Sequence, residues 1–406
     1  MRDSQSLSIL TTRSAHGRNR RTVLDCIRSE GPLSGADLAR ALDVPSGTIT
    51  RVVGSLRSDR LVTVRQSEEK AGVGRPPKLV DVNGEFAYFV GVELGSYTTR
   101  IVITDFKGEV CDAEVFSTES MASPLPEALA SRVREFTREK LSGDDVEKLR
   151  AIAVGLCGDV SLDGGATFGG FLPRGTELAP ALEKALGRPV FLDNDANMAA
   201  RAEFVFGAAQ GLQHVVCLFD RGWVGCGLVL NGVLYRGAHN AAGELSAPSA
   251  ENAEETGKGS FPPPFLESLW LEKALQEKDH RLTHQEFETR ADMIDALCEA
   301  ARRGDDHATE LIKGQTEMLA LAFQRAGVLF DPELLVLTGD WAVTGEWGRR
   351  MIQDRLKELW KASGCANRME TPDLIFSELG QNIVCLGAVA TALDAVSGEV
   401  SSNGTD

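Results

Sequence analysis

The apolar positions change period twice within the first eighty residues. Val23, Leu24 and Ile27 recur at helical spacing up to Gly31-Pro32, where a helix is expected to stop. Ser34 then stands as the cap of a second helix, Gly35 to Leu42, with Leu38, Ala41 and Leu42 turned inward. Asp43-Val44-Pro45 makes a turn, and Ser46 is expected to cap a third helix that buries Ile49, Val52, Val53 and Leu56. The pattern next switches to strands, Leu61 to Val64 and Lys78 to Val82, around the Gly/Pro loop Ala71 to Lys78. Three short helices followed by a hairpin predict a winged helix-turn-helix over residues 18–83, behind a loose polar arm, residues 1–17.

From Phe86 onward apolar strands alternate with helices. Strands are predicted at Phe86–Val92, Ile101–Asp105, Val110–Phe116 and Ala151–Leu156, with a helix over Pro126–Leu141. The same β-β-β-α-β order returns with strands at His214–Phe219, Gly225–Leu230, Val233–Tyr235 and Leu334–Leu337. Helices are expected at Phe265–Gln276, Ala291–Arg303 and Ala308–Leu329. Between the two series, the strand Pro189–Leu192 runs into Asp193-Asn194-Asp195-Ala196-Asn197 and then a helix, Met198–Phe206. The carboxyl ends of strands in an α/β sheet are where ligands bind. A carboxylate and two amides there suit a hydroxyl-rich ligand, and in a kinase Asp195 would be the general base. The alternative is an Asx-rich turn that caps the helix.

Charge separates the chain into a basic front and an acidic body. Residues 1–83 carry 14 Lys+Arg and 9 Asp+Glu, a net of +5, while the remainder carries −21 of the total −16. A polyanion would therefore meet the front alone. The amino end of the third helix, Ser46, Gly47, Thr48, Thr50 and Arg51, is placed to face the major groove, with Arg51 suited to a bidentate guanine contact. Gly74-Arg75-Pro76 in the wing loop can hold one arginine extended toward a narrow minor groove; its other reading is a solvated linker. No run of about 18 apolar residues suggests a membrane span. The first residues lack a secretory core, and the eight cysteines form no C-x-x-C pair. The expectation is a cytoplasmic protein with reduced, buried thiols.

The winged helix, the D-N-D-A-N segment at 193–197 and L-N-G-V-L-Y-R-G-A-H-N-A-A-G-E-L at 230–245 together resemble the ROK family of repressors, open reading frames and kinases, over Arg20 to Ala395. The resemblance implies an α/β chain: a winged helix-turn-helix, then a two-lobed actin-like ATPase fold of the sugar-kinase type. The lobes would span 84–196 and 197–396 and clamp a ligand between them, with a disordered tail at 397–406. It also places Asn194, Asp195, Glu244 and Glu267 as sugar-binding residues.

Departures from the family pattern bear on function. The first phosphate loop reads Glu93-Leu94-Gly95-Ser96-Tyr97, the second Asp220 to Gly227, and the adenosine-side segment Gly339-Asp340-Trp341. Bulk and negative charge at these places argue against ATP. The zinc-binding His and three Cys are missing from Gly243–Ala247 and Glu251–Pro264, so no zinc and no cofactor are expected. The expectation is a DNA-binding regulator, most simply a repressor, acting as a dimer or tetramer on a palindromic operator with A·T-rich flanks and sensing a sugar. Two rivals stay open: a sugar kinase with an added DNA-binding domain, and a scaffold that binds DNA without an effector.

Overall fold

A computed structural model of the chain describes residues 15–67, 76–121, 125–161, 167–168, 172, 175–245, 275, 282, 285, 287, 289–364 and 369–402. The front is built from α1 (Ala15–Glu30), β1 (Leu33–Ser34), α2 (Gly35–Ala41), α3 (Ser46–Ser58), β2 (Val62–Gln66) and β3 (Lys78–Val82). Val23, Leu24, Ile27, Leu38, Ile49, Val52 and Leu56 are all buried where the three helices pack. Ser34 and Asp37 form a reciprocal capping box that starts α2. Strands β2 and β3 pair antiparallel from Val62↔Val82 to Gln66↔Lys78, which makes the wing, and β1 adds a third strand that the sequence pattern did not announce.

Two local expectations need correction. Ser46 does not cap α3: the cap is Pro45, whose carbonyl accepts from the N–H groups of Thr48 and Ile49, and Ser46 is the first helical residue. Proline has no side-chain acceptor, so α3 starts without a side-chain cap. Ala41 is exposed rather than inward, because α2 ends at that residue and Leu38 alone fills the small core from this helix.

The remainder divides with the front into two compact units, Met1–Asn194 with Cys385–Asp406, and Asp195–Val384. The first unit holds β4 (Tyr88–Leu94), β5 (Thr98–Thr104), β6 (Val110–Ser117), α4 (Leu125–Lys140), β7 (Leu149–Leu156), β8 (Asp159–Val160), β9 (Thr167–Phe168), α5 (Leu178–Leu186) and β10 (Val190–Asn194). Its sheet runs β10-β7-β4-β5-β6, antiparallel through β4, β5 and β6 and parallel through β4, β7 and β10.

The second unit begins with α6 (Asp195–Phe206), β11 (His214–Arg221), β12 (Trp223–Leu230) and β13 (Val233–Leu234). It continues with α7 (Arg290–Arg302), α8 (Asp306–Phe330), β14 (Leu334–Gly339), α9 (Gly345–Ala362) and β15 (Asp373–Phe376). Its sheet, β13-β12-β11-β14-β15, repeats the topology of the first: three antiparallel strands, then two parallel ones beside the first of them. The helix expected at Phe265–Gln276 lies outside the described residues, save Leu275, which is helical and buried.

The last helix, α10 (Ile383–Ser402), belongs to the first unit from Cys385 on. This departs from the expected boundaries, which assigned 197–396 to one lobe and made 397–406 irregular; the helix continues through Ser402. Residues from Ile383 to Leu393 are buried around most of the helix, as an apolar sequence on all faces requires. Its seat is close. A Cβ on Gly91 of β4 would lie 2.2 Å from the carbonyl oxygen of Cys385.

Gly91→Ala therefore costs about 1–3 kcal/mol, the usual cost of overpacking. Gly54→Ala, in α3 with open space at the added Cβ, raises stability by about 0.5–1 kcal/mol. Urea unfolding of the two variants reads both effects, and equal shifts of the same sign would contradict the close packing of α10.

Candidate functional site

The amino end of α3 stands free of the core. Ser46, Gly47, Thr50 and Arg51 are exposed and Thr48 is half-buried, while Ile49 and Val52 point inward. The Thr50 hydroxyl donates to the Ser46 carbonyl at 2.9 Å, so it has lone pairs rather than its proton to offer a ligand. Arg51 has no ion-pair partner among the described residues. Pro76 is half-buried at the loop end of the β2–β3 hairpin, and Gly74 and Arg75 lie outside the described residues.

Adjacent arginines on α1 fix this helix. Arg20, 7% exposed, donates to Ser55 and pairs with Asp59 at 2.5 Å at the far end of α3. Arg21 pairs with Asp394 of α10. Arg28 lies over the Phe106 ring at 5.3 Å and donates to the Phe106 carbonyl at 3.3 Å. Lys107, in the β5–β6 turn, reaches Asp81 of β3 at 3.0 Å. The winged helix is thus tied to the body of the first unit through α1 and β3, which leaves the outer face of α3 available.

The Asp/Asn segment is a strand running straight into a helix, with no residue between Asn194 of β10 and Asp195 of α6. Asp193 and Asn197 are buried; Asn194 and Asp195 are half-buried. Asn194 Nδ2 donates to the Gly158 carbonyl at 3.3 Å within the first unit. Asn197, which the sequence offered as an alternative to Asn194, is 3% exposed and serves the interior.

In the second unit, Asp195 and Glu244 are anchored on the same short piece of β12. Cβ atoms on Gly225 and Gly227 would lie 2.6 and 2.4 Å from atoms of Ala196, so α6 rides directly on those glycines. Gly243, at φ +92°, brings its loop against the Cys226 carbonyl, where any side chain would collide. Glu244 follows it and is exposed. Burial, with a smaller contribution from the Glu244 charge, pushes the Cys226 thiol up to about 12. Glu267 lies outside the described residues. The cysteine expectation holds in its main part: the seven described cysteines are free and most are buried, but Cys111 on β6 is exposed.

The segments expected as altered phosphate loops contain buried charges beside arginines and a buried tryptophan. Glu93, at the end of β4, is buried and faces Arg100 across the β4–β5 pair at 3.9 Å. Tyr97 is 61% exposed, so its bulk projects outward rather than filling the turn. Asp220, near the end of β11, is 1% exposed and accepts from Arg290 at 3.1 Å. Trp341 is buried in the core of the second unit. Among the described residues no group of three or more His, Cys, Asp or Glu side chains could hold a metal ion, and no helix is long and apolar enough to cross a membrane.

A winged helix joined to two topologically equivalent α/β units defines the class of protein as a nucleic-acid-binding module on a two-lobed, kinase-like body. The ROK family model matches residues 89–395, and the chain belongs to the ROK family. It is 24% identical over 336 residues to the DNA-binding transcriptional dual regulator NagC of Escherichia coli K12, covering 79% of this chain and 80% of that protein. It is 21% identical over 383 residues to the xylose repressor of Bacillus subtilis 168, covering 93% of this chain and 95% of the relative. Among solved structures, a ROK family transcriptional regulator described as a homologue of the E. coli MLC protein aligns with a TM-score of 0.69 and 21% identity over 96% of this chain and 98% of that chain. A ROK hexokinase from Thermus thermophilus aligns with 0.55 and 26% over 76% of this chain and 99% of that chain. The body is thus of the actin-like ROK kinase fold.

The sequence did not single out the device that holds α6. Glu203, 1% exposed, accepts from Ser377 and from the Ala208 N–H at 3.0 Å, and burial raises its pKa. A carboxyl whose folded pKa is raised is equally protonated in both states at low pH. It costs stability as pH rises through its unfolded value toward its folded one. Glu203→Gln keeps an acceptor and removes the charge. It is expected to raise the melting midpoint at pH 7.5 and to lose that advantage near pH 4; a gain independent of pH would contradict the assignment.

Proposed function

We propose that the chain is a DNA-binding transcriptional regulator of the repressor type whose kinase-like body senses a sugar or sugar derivative and does not phosphorylate it. One observation carries this reading: α3 exposes its amino end, with Ser46, Gly47, Thr50 and Arg51 exposed and Thr48 half-buried, while Arg20 of α1 holds its other end, in a chain of the ROK family. The full-length likeness to a repressor from Bacillus subtilis, front included, supports it. Arg51 reads a base edge, the outer hydroxyls and backbone meet phosphates, and Gly74-Arg75-Pro76 reach a minor groove in the A·T-rich flanks. A dimer or tetramer places two such helices on a palindromic operator.

Asn194, Asp195, Glu244 and Glu267 are the residues assigned to a hydroxyl-rich effector, with no metal and no nucleotide. The half-buried state of Asn194 and Asp195 supports this, since they combine shelter with access. Effector binding alters operator affinity by as much as the effector's preference for one conformation over the other. The kinase rival keeps one favourable observation, the position of Asp195 at the head of a helix after a strand. Phosphorylation of glucose or N-acetylglucosamine from ATP, abolished by Asp195→Asn, would establish it.

The test is fluorescence anisotropy on DNA from upstream of the protein's own gene, titrated with xylose, glucose, N-acetylglucosamine and their phosphates, without ATP. Arg51→Ala should weaken specific binding about 5- to 150-fold, the equivalent of roughly 1–3 kcal/mol. Asp195→Asn should remove the response to the sugar while leaving operator affinity in its absence unchanged. Operator binding insensitive to Arg51→Ala at every salt concentration would overturn the reading of α3.

A further inference from the structure

In an open α/β sheet the carboxyl ends of adjacent parallel strands are the place for a ligand, and anions are favoured where N–H groups or cationic side chains converge there. The second unit has such a place at the ends of β11 and β14, which run parallel with Asp220 opposite Gly339. Gly339, at φ +96°, brings the two chains so close that a Cβ would lie 2.0 Å from the Asp220 carbonyl oxygen. Asp340 follows at the start of a single 3₁₀ turn, Asp340–Thr344.

Two guanidinium groups converge on this point. Arg290 is the first helical residue of α7, after the Thr289 cap. One of its terminal nitrogens lies 3.1 Å from Asp220 Oδ1 and 3.6 Å from Asp340 Oδ2. Arg221 places its Nε 3.7 Å from Asp340 Oδ1 and donates to Gln381 at 2.9 Å. Asp220 is 1% exposed and Asp340 5%, and Asp220 Oδ2 has no donor among the described residues. A half-satisfied buried carboxylate is costly and tolerated only beside a strong counter-charge. The group therefore sets two anions against two cations at a position where an open sheet would hold a ligand.

We propose that Asp220 and Asp340 are built-in substitutes for a bound polyanion: they occupy the oxyanion positions that Arg221 and Arg290 would otherwise offer, and so seal the carboxyl edge of the second sheet against phosphate-bearing ligands. This deepens the non-kinase reading of the body and rests on it. The body needs no nucleotide to neutralise these arginines, so its conformation responds to other ligands without ATP. Removal of the two carboxylates turns the seal into a receptor for an inorganic polyphosphate.

The probe is inorganic pyrophosphate, and the readout is the melting midpoint of the full chain at constant ionic strength, with chloride as control. The wild type should show no shift. Asp220→Ala with Asp340→Ala should melt lower in chloride and rise by about 3 °C or more in a tenfold excess of pyrophosphate over its dissociation constant. Adding Arg290→Gln to that pair should abolish the rise. A folded double variant that pyrophosphate does not stabilise, or a wild type that it does, overturns the proposal.

Arg290→Gln alone covers the case in which the double variant does not fold. It removes the cation nearest to both Asp220 and Asp340, so their buried negative charges are left with less compensation. Its deficit relative to wild type should be large at pH 8 and shrink as pH falls toward about 4. A deficit that does not depend on pH overturns the proposal as well. Phosphorylation of a sugar by the wild type would instead defeat the non-kinase reading, an outcome separate from the pyrophosphate result.

Discussion

The approach of α10 to β4 is the constraint on which the first unit depends. Gly91 leaves the Cys385 backbone room to lie against the sheet, and the Cys385 thiol adds a contact of 3.6 Å to the Arg100 carbonyl. From that fixed start the helix buries Val389, Ala390, Ala392 and Leu393 and delivers Asp394 to Arg21. Arg20, the next residue on α1, holds Ser55 and Asp59 of α3. A backbone contact in the sheet and the position of α3 are thus three packed steps apart. A bulkier residue at position 91 would be felt along that whole series, because packed interiors transmit strain rather than absorb it.

The two α/β units handle buried charge in the same way. In each, the first strand of the antiparallel set ends in a buried acid, Glu93 in β4 and Asp220 in β11, and each acid faces an arginine from a neighbouring element. Carboxylates at these positions are affordable only with such partners. The topology of the two sheets is equivalent, so the parallel is one of position as well as chemistry. In a nucleotide-using protein the end of such a strand must stay open to an external anion. Here each buried acid has a cation beside it, while the bulk of Tyr97, expected to fill the first loop, projects outward.

Most of the architecture was legible because it rests on clear periodicity. The three front helices, the wing strands, the β-β-β-α-β repeat and the Asp/Asn junction all show a switch between periods of 3.6 and 2. The amphipathic helices α5 and α9 were missed despite such a contrast, but two other elements that escaped lack it. Helix α10 is apolar on every face, so no amphipathic stripe marks it, and β15 is four residues long. The cap of α3 was misplaced by one residue because Pro45 and Ser46 are both good starters, and only the backbone conformation separates them. For the site, the acids were visible but their roles were not. Asp193, Asn194, Asp195 and Asn197 look alike in sequence, and burial alone divides them into structural and accessible pairs. Arg290 lies some seventy residues from Asp220, and nothing local in the sequence announces that they meet.

The charge of the front takes on a different meaning once its partners are known. A net of +5 over residues 1–83 suggests a diffusely basic surface. Yet Arg20, Arg21 and Arg28, nearly all the positive charge on the described outer turns of α1, are spent on Asp59, Asp394, Asp25 and the Phe106 carbonyl. Arg40 on α2 is paired with Asp37. Within residues 1–83, the exposed cations without an ion-pair partner among the described residues are Arg51, Arg57, Arg60, Arg65 and Lys78. All five lie on α3, on the turn after it or on the wing strands. Unpaired positive charge gathered on one helix and one hairpin can orient a polyanion as well as attract it. The internal ion pairs of α1 therefore remove charge from one side of the winged helix and leave the unpaired described cations on α3 and the hairpin.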